Sequence, residues 1–241
     1  MWFEKPLHCK YTETQGFIYG KHWGLDWVPL LDTGEDFPAD IYPIATGNIR
    51  YSYTEYNGKK SVLICIDTYL SDDVITYLKS LGDISKEYNG KVRLLHTYMH
   101  GLKLYETEKG KRVTPNDRIM QCGNTGQVSS GGVPVPEEEK GVPPYKGLHL
   151  HLQCELYREN NTLIGYIDPY HLLNYKPKKM IGYKKVNDSI VYVLVGNILV
   201  RIADWEAFVD LGGSENTVVE LSENQFSKYE ISTRALFKLN G

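Results

Sequence analysis

In Leu148-His149-Leu150-His151-Leu152, two histidines alternate with three leucines. A strand sends successive side chains to opposite faces, so both imidazoles leave one face while the leucines enter a core. Two nitrogen donors or bases then stand side by side. Far upstream, His22-Trp23-Gly24-Leu25-Asp26-Trp27 sets a histidine and a carboxylate on either side of a glycine, a residue that permits a sharp bend. Together the segments offer the mixed nitrogen and oxygen donor set that tetrahedral Zn²⁺ accepts. Three protein ligands leave a fourth position for water, as in a catalytic site, where zinc brings the pKa of water to about 7 and polarises a carbonyl. Amide hydrolysis then needs further groups to move protons and to stabilise a tetrahedral intermediate.

These residues need a scaffold, and the pattern predicts one that is mainly β. Short β-type runs at 47–53, 61–67, 91–99, 118–122 and 148–156 imply a mostly antiparallel sheet, with Asn57-Gly58 turning the first hairpin. One helix interrupts them, capped by Ser71-Asp72-Asp73, carrying Val74, Ile75, Leu78 and Leu81 at helical spacing, and ended by Gly82. Segment 123–146, rich in Gly, Ser and Pro with three consecutive glutamates, is a loop too long for a simple connection and of the kind that borders a site. A polar, proline-containing stretch at 174–179 marks a boundary between a domain at 1–175 and a small α+β module at 180–241. In that module, a hairpin around Gly196-Asn197, a helix over 204–211 ended by Gly212-Gly213, a capping box at Ser222-Glu223-Asn224-Gln225 and a final run at Ala235-Leu236-Phe237-Lys238 are expected.

Bulk properties exclude several classes of function. The chain has 241 residues and a formal net charge of −3, so no overall positive field draws it to nucleic acid or an anionic membrane. Basic clusters at 109–112 and 176–179 are short and read as solvated turns. Nineteen tyrosines against six phenylalanines suit grooves that are apolar on one side and hydrogen-bonding on the other. Cys9, Cys65, Cys122 and Cys154 are scattered and read as reduced thiols. Residues 1–8 lack the basic start and apolar stretch of a secretory signal, and no apolar run reaches membrane-spanning length. The expectation is synthesis in the cytoplasm without a signal peptide and no membrane insertion.

The ordered motifs resemble those of the lysostaphin-like zinc endopeptidases of bacterial cell walls. His22-Trp23-Gly24-Leu25-Asp26 resembles that family's His-x-Gly-x-Asp motif, and residues 42–47, Tyr-Pro-Ile-Ala-Thr-Gly, loosely resemble its strand entry. Tyr98-Met99-His100, Gly123-Asn124-Thr125-Gly126, the His149-Leu150-His151 strand and Tyr166-Ile167-Asp168-Pro169 follow in family order. The resemblance implies an antiparallel sheet with a groove over zinc, ligands at His22, Asp26 and His151, and His100 and His149 flanking the bound water as general base and intermediate stabilisers. It also implies peptidoglycan as the substrate. Two departures stand out: residues 127–146 intervene before His-x-His, and the helix at 71–81 is an addition. The module at 180–241 gives the chain the outline of a phage-type lysin, which acts on the wall after release through a holin pore or from a virion.

Alternatives are open at this stage. His96, four residues before His100 and on the same side of an ideal strand, rivals it. His8 and His171 lack partners at useful spacing, and Trp23 and Trp27 either line the groove or pack beneath it. Residues 113–126 also resemble the hairpin of biotin- and lipoyl-carrier folds, although no lysine stands at its tip. A non-catalytic phage-tail or wall-binding component with a retained peptidase fold is the rival from another functional class.

Overall fold

The structure is a computed structural model and describes residues 3–176, 182–195, 198–202, 205–210 and 215–231. They form two compact units, Phe3–Tyr175 and the residues from Lys176 onward.

The first unit is built on an antiparallel sheet, as the β-rich pattern predicts. Its strands are β1 (Lys10–Gln15), β2 (Gly24–Leu30), β3 (Gly47–Tyr56), β4 (Lys59–Tyr69), β5 (Val92–Gly101), β6 (Leu150–Arg158) and β7 (Leu163–Ile167). The order is β1-β2-β6-β5-β4-β3, closed at one edge by Arg112–Val113. Strand β6 is central. Its first half pairs with β2 and its second half with β7, while its whole length pairs with β5. Leu150, Leu152, Cys154 and Leu156 of β6 are fully buried on one face, which leaves His151 on the other. The β3–β4 turn has φ of 52° at Asn57 and 72° at Gly58, the two positive values that an Asn-Gly hairpin turn requires.

Helix α1 (Asp72–Leu81) buries Val74, Ile75 and Leu78 and ends at Gly82, whose φ of 89° closes the last turn. Ser71 occupies the N-cap, but its hydroxyl makes no capping hydrogen bond, so Asp72 and Asp73 are the residues that meet the positive end of the helix.

Several expectations need correction. Strands β1, β2 and β7 lie outside the predicted runs, and the run at 118–122 shortens to Met120–Gln121, in a separate three-stranded sheet. Arg112–Val113 and Met120–Gln121 belong to different sheets, so 113–126 is not the hairpin of a carrier fold. Gly24 lies within a strand and makes no bend. Segment 123–146 has structure of its own, with a small ladder pairing Ser129–Ser130 to Val133–Pro134 and a 3₁₀ turn at Glu137–Glu139.

In the second unit, strands β8 (Gly182–Lys185), β9 (Tyr192–Val195), β10 (Ile198–Arg201), β11 (Val218–Leu221) and β12 (Glu230–Ile231) form a sheet of order β11-β8-β9-β10-β12. Strands β9 and β10 pair antiparallel, β8 and β11 parallel. A short helix spans Trp205–Asp210, and the Ser222 N–H donates to Gln225 Oε1 at 2.9 Å, the reciprocal arm of the expected capping box. The Gly196-Asn197 turn, the Gly212-Gly213 stop, the 177–179 part of the boundary and the 235–238 run lie outside the described residues. Among the described residues, no helix is long and apolar enough to cross a membrane.

A buried polar chain crosses the core of the first unit. The Ile44 N–H donates to Tyr98 Oη at 2.6 Å, and Tyr98 Oη lies 2.8 Å from His96 Nδ1. His96 Nε2 lies 2.9 Å from Thr68 Oγ1, which donates to the Thr46 carbonyl at 3.0 Å. One set of protons satisfies every member, with Tyr98 donating to His96 Nδ1 and His96 donating from Nε2 to Thr68. Tyr98→Phe would leave the Ile44 N–H and His96 Nδ1 without partners. It is expected to cost about 1–3 kcal/mol in denaturant unfolding while retaining the far-ultraviolet signal of the sheet.

Candidate metal centre

Gly24 and Asp26 share one face of β2, because side chains two apart point the same way, and His22 lies two residues before the strand. Asp26 is the direct cross-strand partner of His151, and Gly24 that of Gln153. The middle position must be glycine because the His151 ring occupies its space. A Cβ there would sit 2.6 Å from His151 Nε2 and 2.5 Å from the Leu152 carbonyl oxygen. The His-x-Gly-x-Asp spacing is thus a period-two pattern with its centre emptied for a ring from the neighbouring strand.

His22 is set by a tight turn in which its N–H and carbonyl both bond Ile18, at 2.8 and 2.7 Å. Its Nε2 lies 3.2 Å from Asp26 Oδ2, and His151 Nδ1 lies 2.7 Å from Asp26 Oδ1. Among the described residues, His22, Asp26 and His151 are the group able to hold a metal ion, with ligand atoms all within 4.8 Å of one another. Two imidazole nitrogens and a carboxylate oxygen suit Zn²⁺ in number and kind.

His149 and His100 stand beside this group. The His149 and His100 ring centroids are 4.6 Å apart, and His100 lies 5.9 Å from His151. Ideal alternation would place His100 on the core side with His96 and Tyr98. A β-bulge intervenes: Tyr98 pairs with Ile64 and Gly101 with Val62, so β5 has an extra residue between them. His100 takes a φ of 68°, and its ring turns to the groove face. His96 stays buried in the Tyr98 chain, and the bulge separates the two rivals.

Three backbone carbonyls orient three rings. Nδ1 of His22 meets the Gly16 oxygen at 2.8 Å, that of His149 the Gly147 oxygen at 2.8 Å and that of His100 the Thr125 oxygen at 2.7 Å. An N–H at each Nδ1 leaves the Nε2 lone pair free, and a carbonyl behind the ring in this way fixes imidazole tautomers at metal sites. The Gly-Asn-Thr-Gly turn supplies one of these carbonyls and more. Thr125 Oγ1 accepts the Val62 N–H at 2.8 Å and donates to Gly101 O at 2.7 Å, bridging β4 and β5 beside the bulge.

Electrostatics match this geometry. Burial, then the neighbouring His149 charge, pushes His100 down to about 3, and burial also lowers His149. Both are neutral bases at neutral pH. Burial alone would raise Asp26, but the His151 hydrogen bond and the charges of His149, His151 and His22 outweigh it and hold the carboxyl below its ordinary range.

The cluster opens into a groove of about 1060 Å³. Strands β3 and β4 supply Tyr53, Tyr56 and Lys59 to its wall, and the inserted segment supplies Gln127, Val128 and Lys140. Trp27 is fully buried and Trp23 stacks on Tyr166 at 4.6 Å, and neither lines this groove. His8 stacks on Tyr42 at 3.9 Å and His171 pairs with Asp83 at 2.6 Å, both apart from the cluster. The groove lining from the β3–β4 hairpin was not legible in the sequence, although the tyrosine-rich run before the Asn-Gly turn was a usable signal.

No protein-family model and no curated protein matches the chain. Among solved structures, the chain is similar to a zinc containing peptidase from Vibrio cholerae, with 16% identity and a TM-score of 0.41 over 73% of this chain and 40% of that one. It is similar to a Ruminococcus gnavus protein designated a glycyl-glycine endopeptidase, LytM, with 15% identity and a TM-score of 0.42 over 72% and 60%. A third is a mutant catalytic domain of the prophage-encoded protein EnpA from Enterococcus faecalis, with 14% identity and a TM-score of 0.36 over 70% and 95%. The chain spans less than two thirds of the length of the first two.

His96 is also pushed down to about 3 by burial. Unfolded histidines titrate near their ordinary value, so the unfolded chain takes up protons first as pH falls. The stability these two rings confer is complete above about pH 6.5 and is lost toward about pH 3, at up to about 1.4 kcal/mol per pH unit for each. Asp26, shifted downward, adds a loss at still lower pH. Metal-free protein is therefore expected to unfold at lower urea concentration at about pH 5 than at about pH 7. Equal midpoints would contradict buried neutral imidazoles.

Proposed function

We propose that this chain is a zinc-dependent endopeptidase that hydrolyses peptide bonds in bacterial peptidoglycan. The observation that carries this reading is the convergence of His22, Asp26 and His151 with two further neutral histidines in an open groove. His22 through Nε2, Asp26 through its carboxylate and His151 through Nδ1 would hold the ion, as the donor set and the carbonyl-held His22 ring allow. Zinc bound there supplies a Lewis acid for a peptide carbonyl and lowers the pKa of water.

The remaining work falls to this chain's own groups. His149 and His100 present Nε2 toward the site, one positioned to accept a proton from the attacking water and the other to donate a hydrogen bond to the developing oxyanion once protonated. Their low proton affinity in the free protein suits groups that start neutral. The tyrosine-lined wall would hold an extended peptide beside the cluster. A peptidoglycan substrate and a phage-type lysin role, with residues 180–241 binding wall or partner, extend the same proposal and are supported by the motif resemblance and by a second compact unit. The non-catalytic alternative gains nothing from the site, where every position of the set retains a residue able to act.

Purified peptidoglycan incubated with zinc-loaded protein should release new amino termini, detectable by mass spectrometry. His151→Ala is expected to lose both zinc and activity. His100→Ala should keep zinc while kcat falls by about 10²- to 10⁴-fold. Cleavage that survived chelation and His151→Ala would sink the proposal. For the second unit, protein ending at residue 175 should pellet with cell walls less than the full chain, and equal pelleting would remove its binding role.

A further inference from the structure

The metal groove is charged in one sense away from the cluster. Of its lining residues, Lys59 and Lys140 carry positive charge, and the one carboxylate, Asp26, is committed to the histidines. Lys140 is unusual for a lysine, with a side chain only 9% exposed. Its Nζ donates to Glu137 Oε2 at 2.8 Å, while Glu137 Oε1 accepts the Lys60 N–H at 3.0 Å. Glu137 does not line the groove; it fixes Lys140 from outside and ties the inserted segment to β4. An ammonium has three donors, and among the described residues Glu137 is the one hydrogen-bond partner of this one.

The segment carrying Lys140 is anchored to the site itself. Asn124, fully buried, donates from Nδ2 to Glu139 O at 3.3 Å and Lys146 O at 2.9 Å, and accepts the Gly141 N–H at 2.7 Å. Lys140 therefore sits between two neighbours clamped by Asn124, whose next residue, Thr125, orients His100. With Glu137 balancing one charge, Lys59 and Lys140 together keep a net positive charge. A held ammonium with unspent donors, in a groove whose one carboxylate is engaged by the histidines, is arranged to take a carboxylate from a ligand.

We infer that Lys140, assisted by Lys59, forms a carboxylate subsite in the metal groove, so that the peptide accommodated there carries a free carboxylate beside the bond presented to the cluster. This subsite deepens the peptidase reading and rests on it.

The test uses zinc-loaded full chain and a synthetic stem peptide, Ala-γGlu-Lys-Ala, with its carboxyls all free or all amidated. Binding is measured by calorimetry and cleavage is followed in parallel. The free-acid form is expected to bind about tenfold or more tightly, a charge-assisted hydrogen bond's worth. That ratio should fall toward one in Lys140→Gln, survive in Lys140→Arg and shrink in Lys59→Gln, which sits on an exposed hairpin. A wild-type ratio near one, no binding of either form, or a ratio that both glutamine variants leave intact because zinc alone draws the carboxylate would overturn the inference. Preferential binding without cleavage supports the subsite and counts against the peptidase reading; cleavage without preference does the reverse.

Discussion

The pairing of Asp26 with His151 across β2 and β6 is the constraint around which the first unit is arranged. A carboxylate and an imidazole meet at 2.7 Å because their backbones are in register and the glycine two residues before Asp26 leaves room for the ring. Any one-residue slip of β2 against β6 would turn Asp26 to the opposite face and drive Leu25 and Trp27 of β2 out of the core. The Asp26–His151 geometry and core packing are therefore held by the same register. Burial of Asp26 among three histidines would be unfavourable without their compensating charge and hydrogen bonds, and it is those bonds that keep the carboxyl ionised.

The sheet divides its labour by face. On the inner face, β5 contributes Leu94, His96 and Tyr98, all buried, with the two polar residues satisfied within one hydrogen-bonded chain. On the outer face, β6 contributes His151 and β5 contributes Met99 and, through the bulge, His100. The bulge costs a left-handed residue that is not glycine. Thr125 offsets that cost, since its carbonyl receives the His100 ring and its hydroxyl joins the two strands at the irregularity.

The inserted segment shares this anchor. Asn124 and Thr125 are consecutive, one fastening residues 139–146 and the other fixing His100, so the groove wall and the His100 ring are positioned from one turn. Gly126 follows with a φ of 78°, where a side chain would also crowd Ser61 Oγ at 3.1 Å. A long surface segment that is clamped in this way can present a lysine to the groove with little loss of conformational freedom on binding.

The sequence by itself displayed the candidate donors His22, Asp26 and His151 and the strand that carries the last of them. The alternation of His149 and His151 with leucines has one physical outcome on a half-buried strand, and Asn57-Gly58 has one usual turn. It did not determine β1 and β2, because the first 46 residues show neither clean alternation nor a long apolar run, and the glycine of the metal motif reads as a bend when its reason is a ring from a strand far along the chain. Tertiary structure alone decided between His96 and His100. Both are four residues apart on one strand, and only the pairing of β5 with β4 reveals the extra residue that sends one ring into the core and the other into the groove. Side-chain periodicity is a local property that a sequence displays, whereas a bulge depends on the partner strand's register and so is settled only when the sheet is assembled.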